Sequence, residues 1–244
     1  MPYQFATQDQ YYSDYASGRV LYNQPGAPAF PIRLVSEIFQ RAQAQIQSRR
    51  RLTIYDPTCG GAYHLTALGF LHGDVIEAIL ASDIEPRAVS LAQRNLGLLS
   101  PAGLNQREQE INALLAQYGK ASHVEALKSI AVLRRQITQP PVRTRTFQAN
   151  ALDATSFLPA LASETIDLVL CDIPYGQLSQ WHSPEEVSNH PPLWQMLEAL
   201  KQVIPPSAIL AIAADKRQKI MHESYRRTAH FQVGKRQVTL LAVD

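Results

Sequence analysis

Runs of strand character alternate with amphipathic helical segments along most of this chain, and that alternation constrains the fold more than any other feature. "LTIYD" (52–56), "RTRTFQAN" (143–150), "TIDLVLCD" (165–172) and "SAILAIAA" (207–214) read as strands, and "VIEAILASDI" (75–84) as a strand or as a helix tail followed by one. "TIDLVLCD" has the unbroken apolar character of a sheet interior. In "FPIRLVSEIFQRAQAQIQSRR" (30–50), Leu34, Ile38 and Ala42 recur at spacing four beside Val35 and Phe39, which lines one face of a helix. "CGGAYHLTALGFLHG" (59–73) turns into a helix that Gly73 ends, and "EPRAVSLAQRNLGLL" (85–99) has Pro86 in its first turn. "PPLWQMLEALKQVI" (191–204) opens on prolines, "DKRQKIMHESY" (215–225) reads as a further helix, and "HFQVGKRQVTLLAVD" (230–244) as a hairpin around Gly234. This order predicts an α/β chain with a doubly wound, mostly parallel sheet and one antiparallel C-terminal strand.

Two helical patterns, "NQREQEINALLAQYGK" (105–120) and "HVEALKSIAVLRRQI" (123–137), break the rhythm and define a helical insertion over 99–140. The expected organisation is an N-terminal arm with its first helix over 1–48, then the doubly wound domain over 49–244. A chain of 244 residues that is 45% apolar can fill one such core. The opening "MPYQFATQDQYYSDYASGR" lacks the basic and apolar regions of a secretory signal. The two cysteines, Cys59 and Cys171, have no metal-ligand spacing. A monomeric, cytoplasmic protein without a metal site is therefore expected.

Open α/β sheets bind ligands beyond the carboxyl ends of their strands. The first strand ends in "YDPTCGGAYHL", where Asp56 leaves the strand and Cys59, Gly60 and Gly61 form a turn into the next helix. Glycines let backbone approach a ligand, and the helix aims its N-terminal amides at the same spot. The second strand ends in "SDIEP", placing Asp83 twenty-three positions after Gly60, with Ile84 beside it. A carboxylate at about that offset suits the two hydroxyls of a ribose. The third ends in "QANALD", where the Asn150 oxygen, next to Ala151, can accept from an adenine amino group. The full three-glycine pyrophosphate pattern is absent, which favours a nucleoside cofactor without phosphates. A bare tight turn at Gly60–Gly61 and a helix cap at Asp83 are the plainer alternatives. This combination of strand ends resembles the class I S-adenosylmethionine methyltransferases.

"CDIPYG" (171–176) closes the fourth strand. It resembles the [Asp/Asn]-Pro-Pro-[Tyr/Phe] turn of enzymes that methylate exocyclic amines of bases, with Ile173 where proline is usual. The Asp172 carboxylate and the Ile173 carbonyl can each accept one amine N–H, which aims the nitrogen lone pair at the methyl group. Pro174 stiffens the turn and Tyr175 can stack on the base. The plainer alternative for Asp172 is an Asx turn.

A narrower likeness runs through "SGRVLYNQPGAPAFPIRLVSEIFQRA" (17–42), "YDPTCGGAYHLTALGFLH" (55–72), "SDIEPRAVSLAQRNLGLLSPAGL" (82–104) and "DIPYG" (172–176). These stretches are similar to the avilamycin-resistance rRNA methyltransferases. The resemblance implies S-adenosylmethionine as cofactor, 23S rRNA or the large ribosomal subunit as partner, and the N2 amine of a guanine as target. It also implies that Phe30 and Pro31 lie near the methionine end of the cofactor, and that Arg19 holds a carboxylate or phosphate. An adenine-N6 nucleic-acid methyltransferase, another amine methyltransferase and a non-catalytic RNA-binding module remain alternatives.

The net charge is only +2, so the placement of basic residues matters more than their number. Arg49, Arg50 and Arg51 precede the first strand and read as a solvated run at the amino edge. Lys216, Arg217 and Lys219 follow the fifth strand, and Lys235 and Arg236 sit in the hairpin; both groups belong at the active edge as phosphate contacts. Trp181 and His182, just past the catalytic turn, are placed to flank a flipped base. Arg134 and Arg135 of the insertion are open to RNA or to a structural use. Tyr3, Tyr11, Tyr12, Tyr15 and Tyr22 crowd the arm, where packing on the core is the commoner use of such rings.

Overall fold

The structure, a computed structural model, describes residues 3–8, 12–23, 30–48, 50–173, 181 and 190–244. Its strands are β1 (Leu52–Asp56), β2 (Ile76–Asp83), β3 (Arg143–Gln148), β4 (Leu168–Asp172), β5 (Ile209–Asp215), β6 (Tyr225–Val233) and β7 (Arg236–Val243). They form one sheet in the order β3-β2-β1-β4-β5-β7-β6. β7 runs antiparallel to β5 and β6, and the other pairings are parallel. The expected doubly wound sheet with one antiparallel strand is therefore present.

Side chains along a strand point alternately to the two faces, and the core divides accordingly. Leu168 and Leu170 of β4 join Ile54, Ala211 and Leu240 in one apolar cluster. Val169 and Cys171 join Tyr55, Leu210 and Ile212 in another. The first face is covered by α1 (Ile32–Gln43), α2 (Tyr63–His72) and α3 (Pro86–Gly97). The second is covered by α6 (Ala154–Leu161) and α7 (Pro192–Leu200). Helices α2, α3, α6 and α7 each lie on a connection between two parallel strands, so β1 to β5 all deliver their carboxyl ends to one edge.

The insertion forms α4 (Pro101–Tyr118) and α5 (Ala121–Arg134), capped between them by Gly119 in the left-handed region. Its inner face is narrow, with Leu104, Ile111, Ala126, Ile130 and Leu133 buried.

Two local expectations fail. Residues 216–224 form turns and extended chain rather than a helix. They must cross from the carboxyl edge of β5 back to the amino edge where β6 begins. Nine helical residues reach only about 14 Å, whereas an extended chain reaches about 30 Å. Helix α6 has no counterpart in the sequence reading, because its eight residues contain Pro159, and about two turns give little periodicity to read.

The amino edge also differs from a simple solvated run. Arg50 pairs with Asp167 at 2.8 Å, and Arg51 donates to the carbonyls of Gly73 and Ile76. Asp167 in turn accepts the Thr53 N–H at 2.7 Å. These arginines bind the start of β1 to its neighbours. Arg49 lies outside the described residues.

Candidate active site

The loop after β1 is built around two carboxylates. Asp56 is fully buried, and its oxygens accept the Thr58 N–H and the His64 ring Nε2–H, both at 2.9 Å. Asp83 accepts the Gly60 N–H at 2.8 Å and the Glu85 N–H at 3.0 Å. Gly60 and Ala62 both have φ of +52°. Glycine adopts that conformation freely, but for Ala62 it costs about 1 kcal/mol. Strain of this kind persists where surrounding contacts fix the loop: Asn95 of α3 donates to the Gly61 carbonyl at 2.8 Å.

The sequence-derived cofactor residues thus fall into two groups. Gly60, Gly61, Asp83, Ile84, Asn150 and Ala151 meet at the carboxyl edge of β1, β2 and β3. Asp83 is half-buried, and burial holds its carboxyl above the usual range. Its oxygens keep lone pairs beyond those used by the two N–H groups. Asn150 has already committed one: its Oδ1 accepts the Leu152 N–H at 3.0 Å, an Asx turn that leads toward α6. Asp56 and Cys59 belong to the second group. Asp56 has no exposed surface, so it shapes the loop through Thr58 and His64 rather than presenting itself to a ligand. Cys59 is buried as well, with its backbone N–H on the Ser82 carbonyl.

The fourth strand end makes a compact polar corner. Asp172 ends β4, and the Ile173 N–H donates to the Ala213 carbonyl at 3.0 Å, which fixes the first peptide of the turn to β5. Asp172 Oδ1 is enclosed by protein and has no hydrogen-bond partner among the described residues, while Oδ2 lies 3.9 Å from an Arg236 Nη2. Burial pushes the Asp172 carboxyl up to about 6; Arg236 and His64 oppose that shift, and Asp56 adds to it. An unpaired buried acceptor costs about 1–3 kcal/mol, and such groups concentrate where a ligand completes them. The Arg236 guanidinium also lies 5.0 Å from the Phe30 ring centroid, and Phe30 packs on His64 at 5.8 Å. Phe30, His64, Asp172 and Arg236 therefore meet at one corner, with Asp56 buried behind His64. Pro174, Tyr175 and His182 lie outside the described residues.

Two placements depart from the sequence reading. Arg236, expected on RNA phosphate, faces Asp172 instead. Arg19 approaches Ser129 of α5 at 3.4 Å rather than the cofactor edge. Arg134, open to RNA or to a structural use, pairs with Glu108 at 2.7 Å and braces the insertion. Lys216, Arg217, Lys219 and Lys235 are exposed, and the Lys216 N–H donates to the Lys235 carbonyl, so the two basic groups do meet at the carboxyl edge. Trp181 packs partly against the second apolar cluster. Pro31 caps α1 and is exposed.

His64 and Asn95 escaped the sequence reading. A histidine within an apolar helix and an asparagine within an amphipathic one look like ordinary packing. For His64 the usable signal was its position in the first turn after Gly60–Gly61, on the helix end that faces the site. Asn95 exchanges hydrogen bonds with Tyr22 as well as with Gly61. Tyr22 lies between the guanidinium groups of Arg94 and Arg107, at 3.8 and 4.3 Å, and donates to Glu110. Tyr15 is buried and donates to Gln136 beyond α5. The insertion thus clamps the arm beside the glycine loop, and these tyrosines pack rather than stand open.

The family model described as rRNA methyltransferase AviRa matches residues 1–236. A curated protein of Streptomyces viridochromogenes, named 23S rRNA (guanine(2535)-N(1))-methyltransferase, is 37% identical over 233 residues, which cover 94% of this chain and 91% of that protein. The 1.5 Å structure of the rRNA methyltransferase aviRa from the same organism is 34% identical, with a TM-score of 0.88 over 99% of this chain and 96% of its own. TrmN from Thermus thermophilus, at 13% identity and a TM-score of 0.51 over 88% of this chain and 49% of its own, shares the fold alone.

Proposed function

This chain belongs to the AviRa rRNA methyltransferase family, and from that premise we propose that it transfers the methyl group of S-adenosylmethionine to ring nitrogen N1 of a guanine in 23S rRNA. Enzyme activity and the sulfonium cofactor follow from the family. The ring position rests on the chemistry of Asp172 and on the relative named for N1. It replaces the N2 expectation.

The two positions ask different things of a carboxylate. An exocyclic amine needs orientation. N1 needs a base, because its in-plane lone pair becomes available only when the N1–H leaves. Asp172 supports the second reading: it is enclosed, it has an oxygen without a partner among the described residues, and its pKa lies near 6. Such a group is ionised at neutral pH yet more basic than an ordinary carboxylate, which suits general-base work. Asp172 would take the N1 proton, which opens the N1 lone pair, and a bound S-adenosylmethionine would supply the methyl group that N1 accepts. The proton then returns to solvent. The cofactor supplies the electrophile, and the protein supplies orientation and the base.

Asp83 and the Gly60–Gly61 loop are the proposed nucleoside contacts, with Asn150 and Ala151 beside the adenine. Lys216, Arg217, Lys219 and Lys235 take backbone phosphates, and Trp181 flanks the flipped base. No described helix is long and apolar enough to cross a membrane, and a cytoplasmic enzyme meeting ribosomal RNA is consistent with that.

Methyl transfer from labelled cofactor to 23S rRNA, followed by nucleoside mass spectrometry, tests the reading. N1-methylguanosine is expected; N2-methylguanosine or N6-methyladenosine would refute it. The rate carries a second signature. Asp172 must be ionised to act, so kcat/KM should fall as pH drops through about 6. A profile flat from about pH 8 down to about pH 5 would exclude Asp172 as the base.

A further inference from the structure

We propose that Asn95 is a positioning residue for the cofactor, and that the helical insertion sets cofactor affinity through it. The inference rests on the reading of the Gly60–Gly61 loop as a nucleoside contact. Helix α3 buries a stripe of Ala88, Ala92, Asn95 and Leu96. Asn95 is fully buried in that stripe, where an apolar side chain would carry no desolvation cost. Its amide is instead used on three sides. Oδ1 accepts the Tyr22 N–H at 2.8 Å, and Nδ2 donates to the Tyr22 carbonyl at 3.1 Å and to the Gly61 carbonyl at 2.8 Å. Both amide hydrogens are engaged, and only this orientation of the amide serves one donor and two acceptors at once.

The bond to Gly61 gains its weight from the tie on the neighbouring residue. The Gly60 N–H is held by Asp83 at the end of β2, and the Gly61 carbonyl by α3. Adjacent residues of the loop are thus anchored to two different elements. Ala62, which follows, is kept at its positive φ of +52°. A loop fixed before a ligand arrives binds without the cost of ordering it. The arm carries the same restraint outward. Tyr22 is bonded to Asn95 through both of its backbone groups. Its ring lies between Arg94 and Arg107, and its hydroxyl donates to Glu110 at 2.9 Å. Arg107 of α4 also donates to the Val20 carbonyl at 2.8 Å. From α4 to the glycine loop there are only two residues, Tyr22 and Asn95, joined by hydrogen bonds at each step.

The test is calorimetric binding of S-adenosylhomocysteine to the full-length protein without RNA, at a temperature where melting curves show each variant folded. Asn95→Asp keeps the size of the side chain and the acceptor for Tyr22, but it sets a carboxylate oxygen against two carbonyls. Its Kd should rise about tenfold to a hundredfold. At saturating S-adenosylmethionine, kcat should stay within about threefold and KM for RNA within about twofold, which places the loss in cofactor binding. Tyr22→Phe removes one hydroxyl and leaves every Asn95 bond. It should raise Kd about twofold to fivefold, and the double variant should lose less than the two changes predict separately. An Asn95→Asp protein that melts lower yet binds S-adenosylhomocysteine like wild type would make Asn95 a packing residue and overturn the proposal. A loss confined to kcat would overturn it too. If Asn95→Asp does not fold, Tyr22→Phe decides: an unchanged Kd separates the insertion from the cofactor and overturns the proposal. No base is present in the binding test, so it stands whichever guanine nitrogen is methylated. Wild-type protein that binds no S-adenosylhomocysteine would refute the cofactor reading itself.

Discussion

Asp172→Asn should reduce methyl transfer by at least about a thousandfold and at the same time make the protein more stable. Both effects come from one placement. Burial raises the carboxyl from its usual 3.8 to about 6, so the folded protein holds the protonated form better than the unfolded chain does. The stabilising contribution is complete below about 3.8 and is lost as pH rises through about 6. At neutral pH the fold therefore carries a charge it disfavours, at a cost of about 1–3 kcal/mol. Asparagine keeps the shape and carries no charge. Urea unfolding should show the variant more stable than wild type at about pH 7.5, with the gain gone near pH 4. A variant that is equally inactive but less stable at both pH values would show that Asp172 is a structural hydrogen-bond partner and not a poised base.

The second large effect is on stability, far from the chemistry. Glu37 of α1 is fully buried. Its oxygens accept the N–H groups of Gln4, Phe5 and Ala6 at 2.6, 2.9 and 2.7 Å and the Arg41 Nε–H at 2.6 Å. Burial by itself raises its pKa, but those donors outweigh burial and hold the carboxyl below its usual 4.5. The stability it contributes is thus present above about 4.5 and lost as pH falls through the lower folded value. Glu37→Ala removes the carboxylate that accepts the Arg41 Nε–H and unties the arm from α1. A loss of about 3–5 kcal/mol is expected, with Glu37→Gln losing less. Denaturant melts measure the loss, and limited proteolysis should cut the variant first within residues 3–8. A change under about 0.5 kcal/mol would mean that the arm is not held by this carboxylate.

Much of this molecule is visible in its sequence because most elements obey one rule at a time. β1 and β4 are short apolar runs, and α1 carries an apolar stripe, so periodicity suffices. The strand ends are legible for the same reason: Asp56, Asp83, Asn150 and Asp172 follow directly on their strands, and the topology gathers them at one edge. What stayed hidden depends on long-range geometry. The segment 216–224 has helical composition, but the distance it must span overrides propensity. Arg236 looks like another basic hairpin residue, and only the register between β5 and β7, which sets Asp215 opposite Arg236, turns it toward Asp172. Asp56 looked like a ligand contact because it ends a strand at a glycine turn. In space its two oxygens face Thr58 and His64, which no spacing rule reports.

Reverse transcription across treated 23S rRNA separates methylation at a guanine N1 with Asp172 as the base from the other readings. A methyl on N1 removes a Watson–Crick donor and blocks pairing, so primer extension should stop at one guanine when wild-type protein and S-adenosylmethionine are both present. The stop should be absent without cofactor and absent with Asp172→Asn. Methyl incorporation without any stop, or a stop that survives in Asp172→Asn, would contradict the account.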